Sequence, residues 1–329
     1  MDAYGSKDIL SEIYGIDNSE FINFLKNKGF YVPEKSYSHY CQTIFSLGAI
    51  LNMDYIDTLG DFDPSFTDRI PISRKLRDNQ VVKYFRAAGY SIGAFDTGYS
   101  HTILKDPDVF YKPTGTVSEF ENVLLSTTML PVAQTDENSL FAKHRKRVLY
   151  ILDKIPKIYE IDSPRFIFAH IISPHPPFVF DEKGEPMEQS KSFHFWDGSH
   201  YINSKGGGKE NYLKGYSGQV RYITKLLEIM IERIFERYPE NKPVIIIQGD
   251  HGPGSGLNWG SLENTNIKER FSILHTYYLP DHEGNPTYNS IIPINMFRVI
   301  FNTYLGTRLP LLPRKNYFTR WAQPYNFQD

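Results

Sequence analysis

Cysteine is almost absent from this chain: Cys41 is the only one in 329 residues. No internal disulfide can form, so cysteine usage leaves the redox compartment open. Long hydrophobic runs are missing too. Nothing reaches the roughly 18 consecutive apolar residues that cross a bilayer, and the opening Met1-Asp-Ala-Tyr-Gly-Ser-Lys-Asp8 lacks the pattern of a secretory signal. Neither sign of charge dominates. The 36 Lys and Arg against 38 Asp and Glu leave a net charge of −2, which argues against a nucleic-acid binder. No internal repeat, low-complexity tract or linker interrupts the sequence. Taken alone, the chain is expected to be soluble, with residues 1–329 forming a single domain.

What is present is a core-forming composition. Hydrophobic residues make up 40%, with 23 Tyr, 23 Phe and 3 Trp. The most informative stretch is Pro243-Val-Ile-Ile-Ile-Gln-Gly-Asp250-His251-Gly252. Its β-branched run predicts a buried parallel strand that stops abruptly at Asp-His-Gly. In open α/β sheets, ligands bind beyond the carboxyl ends of strands. An acidic residue and an imidazole side by side there suit a divalent cation such as zinc or manganese. A polar turn with a solvated His251 is the alternative.

Helical periodicity is expected over 8–29, with Asn18-Ser19 as a cap inside it, and from Thr43 to about Met53. It recurs over Leu76–Ala88, most of 117–160, Gly215–Tyr238 and Asn295–Leu305. Strands are expected at Gly89–Phe95, Arg165–Ile172, Val244–Ile247 and Arg270–Leu279, the last near a sheet edge. Residues 58–71 and 181–212 read as loops. Alternation of strands with helices predicts a mainly parallel sheet covered on both faces.

Several motifs occur in a definite order: Asp2-Ala-Tyr4, Tyr40-Cys-Gln-Thr43-Ile-Phe-Ser46, His170-Ile-Ile-Ser-Pro-His175-Pro-Pro-Phe178, Asp197-Gly-Ser199, Gly249-Asp-His-Gly252 and Asn295-Met-Phe-Arg298. Together they resemble the sulfatase-like branch of the alkaline phosphatase superfamily, nearest the lipoteichoic acid synthase and phosphoethanolamine transferase group. The resemblance implies a three-layer α/β/α sandwich with a mostly parallel central sheet. It implies a metal-dependent phosphoryl-ester transferase or phosphodiesterase acting on a phosphorylated or sulfated envelope lipid or glycan, outside the cytoplasmic membrane. By the same resemblance Thr43 is the nucleophile, and Asp2, Thr43, Asp250 and His251 hold one divalent ion. Mn2+ is the expected ion, with Mg2+, Zn2+ and Ca2+ as alternatives. His175 contacts substrate or protonates the leaving group. His170, inside an apolar strand, is either a core imidazole or a group close to the substrate. His101 and Lys105 stand in for substrate contacts.

Each residue has a plainer role open to it. Thr43 is a good helix cap, His175 between prolines a rigid turn, and Asp2 at a terminus an ordinarily frayed residue. True sulfatases carry C-x-P-x-R, whereas Cys41-Gln-Thr-Ile-Phe45 has neither Pro nor Arg at those offsets, so a sulfuric ester hydrolase is the second expectation. Asp96 stands where the lipoteichoic acid synthases have a histidine, so their glycerol-phosphate specificity does not carry over. The family's first strand precedes its metal-binding Asp. Only Met1 does so here, so an upstream strand and membrane segment are expected to be missing, and with them any membrane association. A catalytically inactive scaffold is the third expectation. Phe193–His200, with Trp196, forms either a lid or surface packing.

Overall fold

The computed structural model describes residues 1–115, 139–187, 193–282 and 291–328. In chain order the helices are α1 (Lys7–Tyr14), α2 (Ser19–Asn27), α3 (Thr43–Asn52), α4 (Ile70–Arg77) and α5 (Gln80–Ala87), then α6 (Leu140–Lys154), α7 (Gly198–Ile202), α8 (Lys209–Arg237), α9 (Ile267–Phe271) and α10 (Met296–Tyr304). The strands are β1 (Ser91–Phe95), β2 (Val109–Tyr111), β3 (Arg165–Phe168), β4 (Ile245–Gln248), β5 (His275–Tyr278), β6 (Phe318–Arg320) and β7 (Gln323–Gln328).

β1 lies between β2 and β3, parallel to both. β4 pairs antiparallel with β5, and β6 with β7. The chain's first residues join β3 to β4. Met1's ammonium donates to Gln248 O at 2.8 Å. Asp2 N donates to Ile171 O at 2.8 Å, His175 N to Asp2 O at 3.1 Å, and Asp250 N to Met1 O at 3.2 Å. Asp2 forms a parallel bridge with Pro174. A terminus anchored on both sides does not fray, which is why Asp2 is buried at 3% exposure.

Alternation along the strands sends neighbouring side chains to two cores. Phe95, Tyr111, Ile167, Ile245, Ile247 and Tyr278 face the core shared with α1, α2, α6 and α8. Ile92, Ala94, Phe166, Phe168, Ile246 and Tyr277 face the one shared with α3, α4, α5 and α10. Helices therefore cover both faces of the sheet, giving three layers. α3 is apolar all round, and every residue after Thr43 is buried. A helix of that kind belongs inside a domain.

Some boundaries differ from expectation. The helix expected over 76–88 is broken between α4 and α5, because Asn79 caps α5 by accepting from Val82 N at 2.9 Å. The strand expected from 270 begins at His275, since Asn266 caps α9 through Glu269 N. The loop expected over 181–212 contains α7 and the start of α8. Of the helical stretch expected over 117–160, residues 116–138 lie outside the described residues.

Candidate active site

Four segments converge beyond the carboxyl ends of β3 and β4. Asp250 and His251 follow β4 directly. The turn is closed by Gly252, where a Cβ would stand 2.0 Å from Glu269 O, so no larger residue fits after the histidine. Asp250 Oδ1 accepts from Ala3 N at 3.0 Å and from His251 N at 2.9 Å, which aims Oδ2 into the site. His251 Nδ1 lies 2.9 Å from Gly252 O and can only donate to it. The lone pair is therefore on Nε2. Around that atom stand Asp2 Oδ1 at 3.4 Å, Asp250 Oδ2 at 3.5 Å and Thr43 Oγ1 at 3.0 Å. Burial, then Arg270, pushes the pKa of His251 below its ordinary value, against the pull of the carboxylates.

Thr43 is the first residue of α3 and only partly buried. α3 is locked to the metal-side loop by Ser46 Oγ, which donates to Asp250 O at 2.5 Å. Its N-terminal N–H groups favour an anion in front of Thr43. Cys41 points elsewhere: its Sγ lies 3.5 Å from Thr319 O, it is fully buried, and burial pushes the thiol up.

Asp2, Asp250 and His251 each offer a ligand atom, all within 4.8 Å of one another. Asp2 Oδ1 and Asp250 Oδ2 are buried with no hydrogen-bond partner. Buried carboxylate oxygens without donors are costly unless a cation compensates them, so the donor set fits a divalent ion. Burial alone would raise Asp2's carboxyl, but His175, His170 and His251 hold it far below the usual carboxylate range.

His175 is buried beside this set. Its ring centre is 6.2 Å from that of His251, and its Nδ1 donates to Pro176 O at 2.5 Å. Nε2 faces Asp197 Oδ2 at 3.8 Å. Burial pushes His175's pKa down, but the Asp2 and Asp197 carboxylates outweigh it and raise the pKa above its ordinary value.

Two residues outside the expected set organise this corner. Asp197 accepts from Tyr212 Oη at 2.7 Å and from Arg270 Nη1 at 2.5 Å. Arg270 also donates through Nε to Cys41 O at 2.9 Å and through Nη1 to Gly252 O at 3.0 Å, with Nη2 3.2 Å from His251 Nε2. Against the cost of burial, Arg270 holds Asp197's pKa down to about 2. The available signal was an arginine among apolar residues, Arg270-Phe-Ser-Ile-Leu274, since a charge is fully buried only when paired.

His170 reaches the same cluster, with Nε2 at 3.3 Å from Asp2 Oδ2. Lys105 does not join it: the ammonium is exposed, 3.9 Å from Asp106. His101 lies in the turn Ser100–Thr102 with its ring against Tyr99, one residue before Thr102, which contacts His170 at 3.1 Å. Asp96 is committed to the scaffold through a buried pair with Arg147 at 3.0 Å. In the 193–200 segment, Phe193 and Phe195 pack edge-on against His144, while Trp196 is 45% exposed.

These layers, with a metal-type donor set at the strand ends, are those of the alkaline phosphatase-like α/β fold. The chain belongs to the sulfatase family, whose profile matches residues 2–298. Its sequence matches no curated protein. Among solved structures it is similar to the C-terminal periplasmic domain of EcEptC from Escherichia coli in complex with Zn. There the identity is 9%, the TM-score 0.59, and the match covers 100% of this chain and 90% of that one. It is also similar to the phosphonate monoester hydrolase of Agrobacterium radiobacter, at 13% identity and TM-score 0.52, covering 92% and 71%. At these identities the likeness is one of fold. Among the described residues no helix is long and apolar enough to cross a membrane.

Proposed function

We propose that the protein is a divalent-metal-dependent phosphoryl-ester transferase or phosphodiesterase with Thr43 as nucleophile. The observation that carries this is the placing of Thr43 Oγ1, at the start of α3, 3.0 Å from His251 Nε2 and next to unpartnered carboxylate oxygens. Asp2, Asp250 and His251 hold the ion, with Thr43 Oγ1 completing the set. When bound, the cation lowers the hydroxyl pKa and offsets charge on the transferring group.

The chain's own residues supply the rest. Thr43 Oγ1, as the alkoxide after its proton has passed to solvent, forms the new bond to phosphorus while the bond to the leaving oxygen breaks in line, and it departs again as the alkoxide in the second displacement. His175, whose pKa is raised, gives its proton to that oxygen. Neutral thereafter, it takes the proton of the incoming water or acceptor alcohol as the Thr43–phosphorus bond breaks. Arg270, fixed beside His251, and the N–H groups of α3 favour the anionic group. A sulfuric ester finds less support, because the only cysteine is buried against Thr319. The substrate class we favour is an envelope lipid or glycan phosphoester, met outside the cytoplasm. EcEptC, which shares the fold, is described as a periplasmic domain.

The test is turnover of bis-p-nitrophenyl phosphate and p-nitrophenyl sulfate by protein loaded with Mn2+ or Zn2+, beside Thr43→Ala and Thr43→Ser. Phosphodiester cleavage retained in part by Thr43→Ser and lost by at least about 1000-fold in Thr43→Ala is expected. Full activity in Thr43→Ala refutes the nucleophile, and absence of both metal uptake and turnover leaves an inactive scaffold.

A further inference from the structure

We infer that Arg69 is a specificity-determining residue that binds a second anionic group, a phosphate or a carboxylate, on the organic part of the ester. The inference rests on the phosphoryl-ester function proposed above. It adds the substrate class: an ester that carries negative charge beyond the phosphorus being transferred.

The chain returns to the nucleophile after the family match has ended. The sulfatase profile stops at residue 298, yet β6 and the turn after it pack beside the start of α3. Thr319 Oγ1 accepts from Gln42 Nε2 at 2.7 Å, and Gln42 immediately precedes Thr43. The other end of that amide, Oε1, accepts from Arg69 Nε and Nη2, each at 3.1 Å. A guanidinium only donates, so the amide can sit only this way round. Trp321, in the turn between β6 and β7, closes the frame. Its carbonyl accepts from Arg69 Nη2 at 2.6 Å, and its ring centre lies 4.1 Å from the guanidinium carbon.

Every partner in this frame is neutral. Among the described residues the arginines in ion pairs are Arg86, Arg147, Arg233, Arg270 and Arg298; Arg69 is not one of them. The adjacent Asp68 accepts from Ile70 N at 2.9 Å instead. Arg69 Nη1 reaches one acceptor, Thr67 O, at a long 3.4 Å, which leaves its second N–H without one. The side chain is half-buried, and burial pushes its pKa down. A guanidinium does not shed its proton in a protein, so an unpaired charge is held there at a cost. A guanidinium fixed by an amide, a carbonyl and an indole, with an N–H to spare, is built to receive an anion.

The frame stands at the rim of the cleft. His200 packs edge-on against Trp321 at 5.3 Å. Trp321 N donates to Trp259 O at 3.0 Å, and Trp259 Nε1 to Asp197 O at 2.9 Å. Arg69 is thus tied to Thr43 through Gln42 and to the His175 corner through Trp259. The transferred group meets the N–H groups of α3 and Arg270, so an anion on Arg69 is a different part of the same substrate. Trp321 is 41% exposed, so ligands reach the frame from solvent.

Calorimetry on wild-type protein loaded with Mn2+ or Zn2+ compares ω-phosphonoalkanoates of increasing length with their carboxamides, which match them in size but lack the second charge. At the best length the acid is expected to bind about 10-fold tighter than the amide. Equal affinity at every length refutes the inference. Alkane bisphosphonates of the same lengths tell the two anions apart: tighter binding than the acids assigns a phosphate, weaker binding a carboxylate. In Arg69→Met the acid-to-amide ratio falls to about one, and Arg69→Lys keeps part of it. A residue that only braced the hairpin would weaken acid and amide alike. An unchanged ratio in Arg69→Met therefore overturns the inference even if both ligands bind less well. Arg69→Gln serves as the neutral variant should Arg69→Met fail to fold. Wild-type protein that binds these ligands but cleaves no phosphodiester sinks the proposed function, a separate outcome.

Discussion

Replacing Asp197 with asparagine removes one negative charge from the corner where Arg270, Tyr212 and His175 meet. Two consequences follow, and both have magnitudes. The first is stability. Asp197 is buried, and its pKa falls from 3.8 to about 2 in the fold, despite desolvation, because Arg270 stands against it. A depressed carboxyl contributes stability that is present above its unfolded pKa and lost as pH falls through the folded one. Here that contribution is about 2 kcal/mol. Leaving the Arg270 guanidinium buried with only carbonyl and imidazole partners costs more, about 3–5 kcal/mol in comparable sites. The substitution therefore costs between about 2 and 5 kcal/mol. At about 2 cal/mol/K of unfolding entropy per residue, Tm falls by roughly 3–7 °C. The wild type's acid-destabilisation limb between pH about 4 and 2 also flattens.

The second consequence concerns His175. Its pKa is raised by Asp2 and Asp197 against the effect of burial. A raised imidazole stays protonated to higher pH, so a general acid of this kind is lost as pH rises through the folded pKa. Two unit charges 3.8 Å apart interact by about 1 kcal/mol in water and about 4 kcal/mol at a protein-like dielectric. Removing one moves the alkaline limb of the pH–kcat profile down by roughly one to three units. Thermal melts and pH–rate profiles at one fixed metal concentration check both. A Tm within about 1 °C of wild type refutes the buried-pair argument, and an unmoved alkaline limb refutes His175 as the acid governed by Asp197.

Gly252→Ala is expected to cost at least about 3 kcal/mol, read as lost soluble yield or a lowered urea midpoint, because its Cβ meets Glu269 O at 2.0 Å. Adding Zn2+ at about 100 times its dissociation constant raises unfolding free energy by about 2.7 kcal/mol. Asp250→Asn, whose amide oxygen can still accept from Ala3 N and His251 N but which removes the negative charge and puts an NH2 in the place of Oδ2, abolishes most of that shift in a thermal melt.

The cluster was legible where its parts are local in sequence. Asp250 and His251 adjoin each other after an apolar run, and Thr43 opens a helix, so periodicity and strand-end logic reach them without knowledge of contacts. The same local signals mark the two cores, since alternation in Ile245–Ile247 is carried by β-branched residues on both faces. Where the logic stopped, the cause was long-range compensation. Arg270 and Asp197 are 73 positions apart, and although Asp197 lies in one of the quoted motifs, nothing local in the sequence pairs it with Arg270. Arg270 moreover lies in a stretch whose apolar residues read as a strand, until Asn266 caps it into a helix. Asp2 reversed a general rule, because backbone bonds from residues 171–175 and 248–250 hold a terminus that would otherwise be loose.

The division has a physical basis. Metal-type ligands must be acidic or imidazole and must follow a rigid element, so they leave a pattern in the sequence. The groups that set protonation need only be charged and near. His175 takes its raised pKa from Asp2 and Asp197, and Asp197 keeps its charge chiefly through Arg270. Protonation at this site is therefore a property of the assembled pair of loops after β3 and β4. A variant that disturbs Arg270 should alter the pH dependence of turnover even though it leaves every metal-type ligand in place.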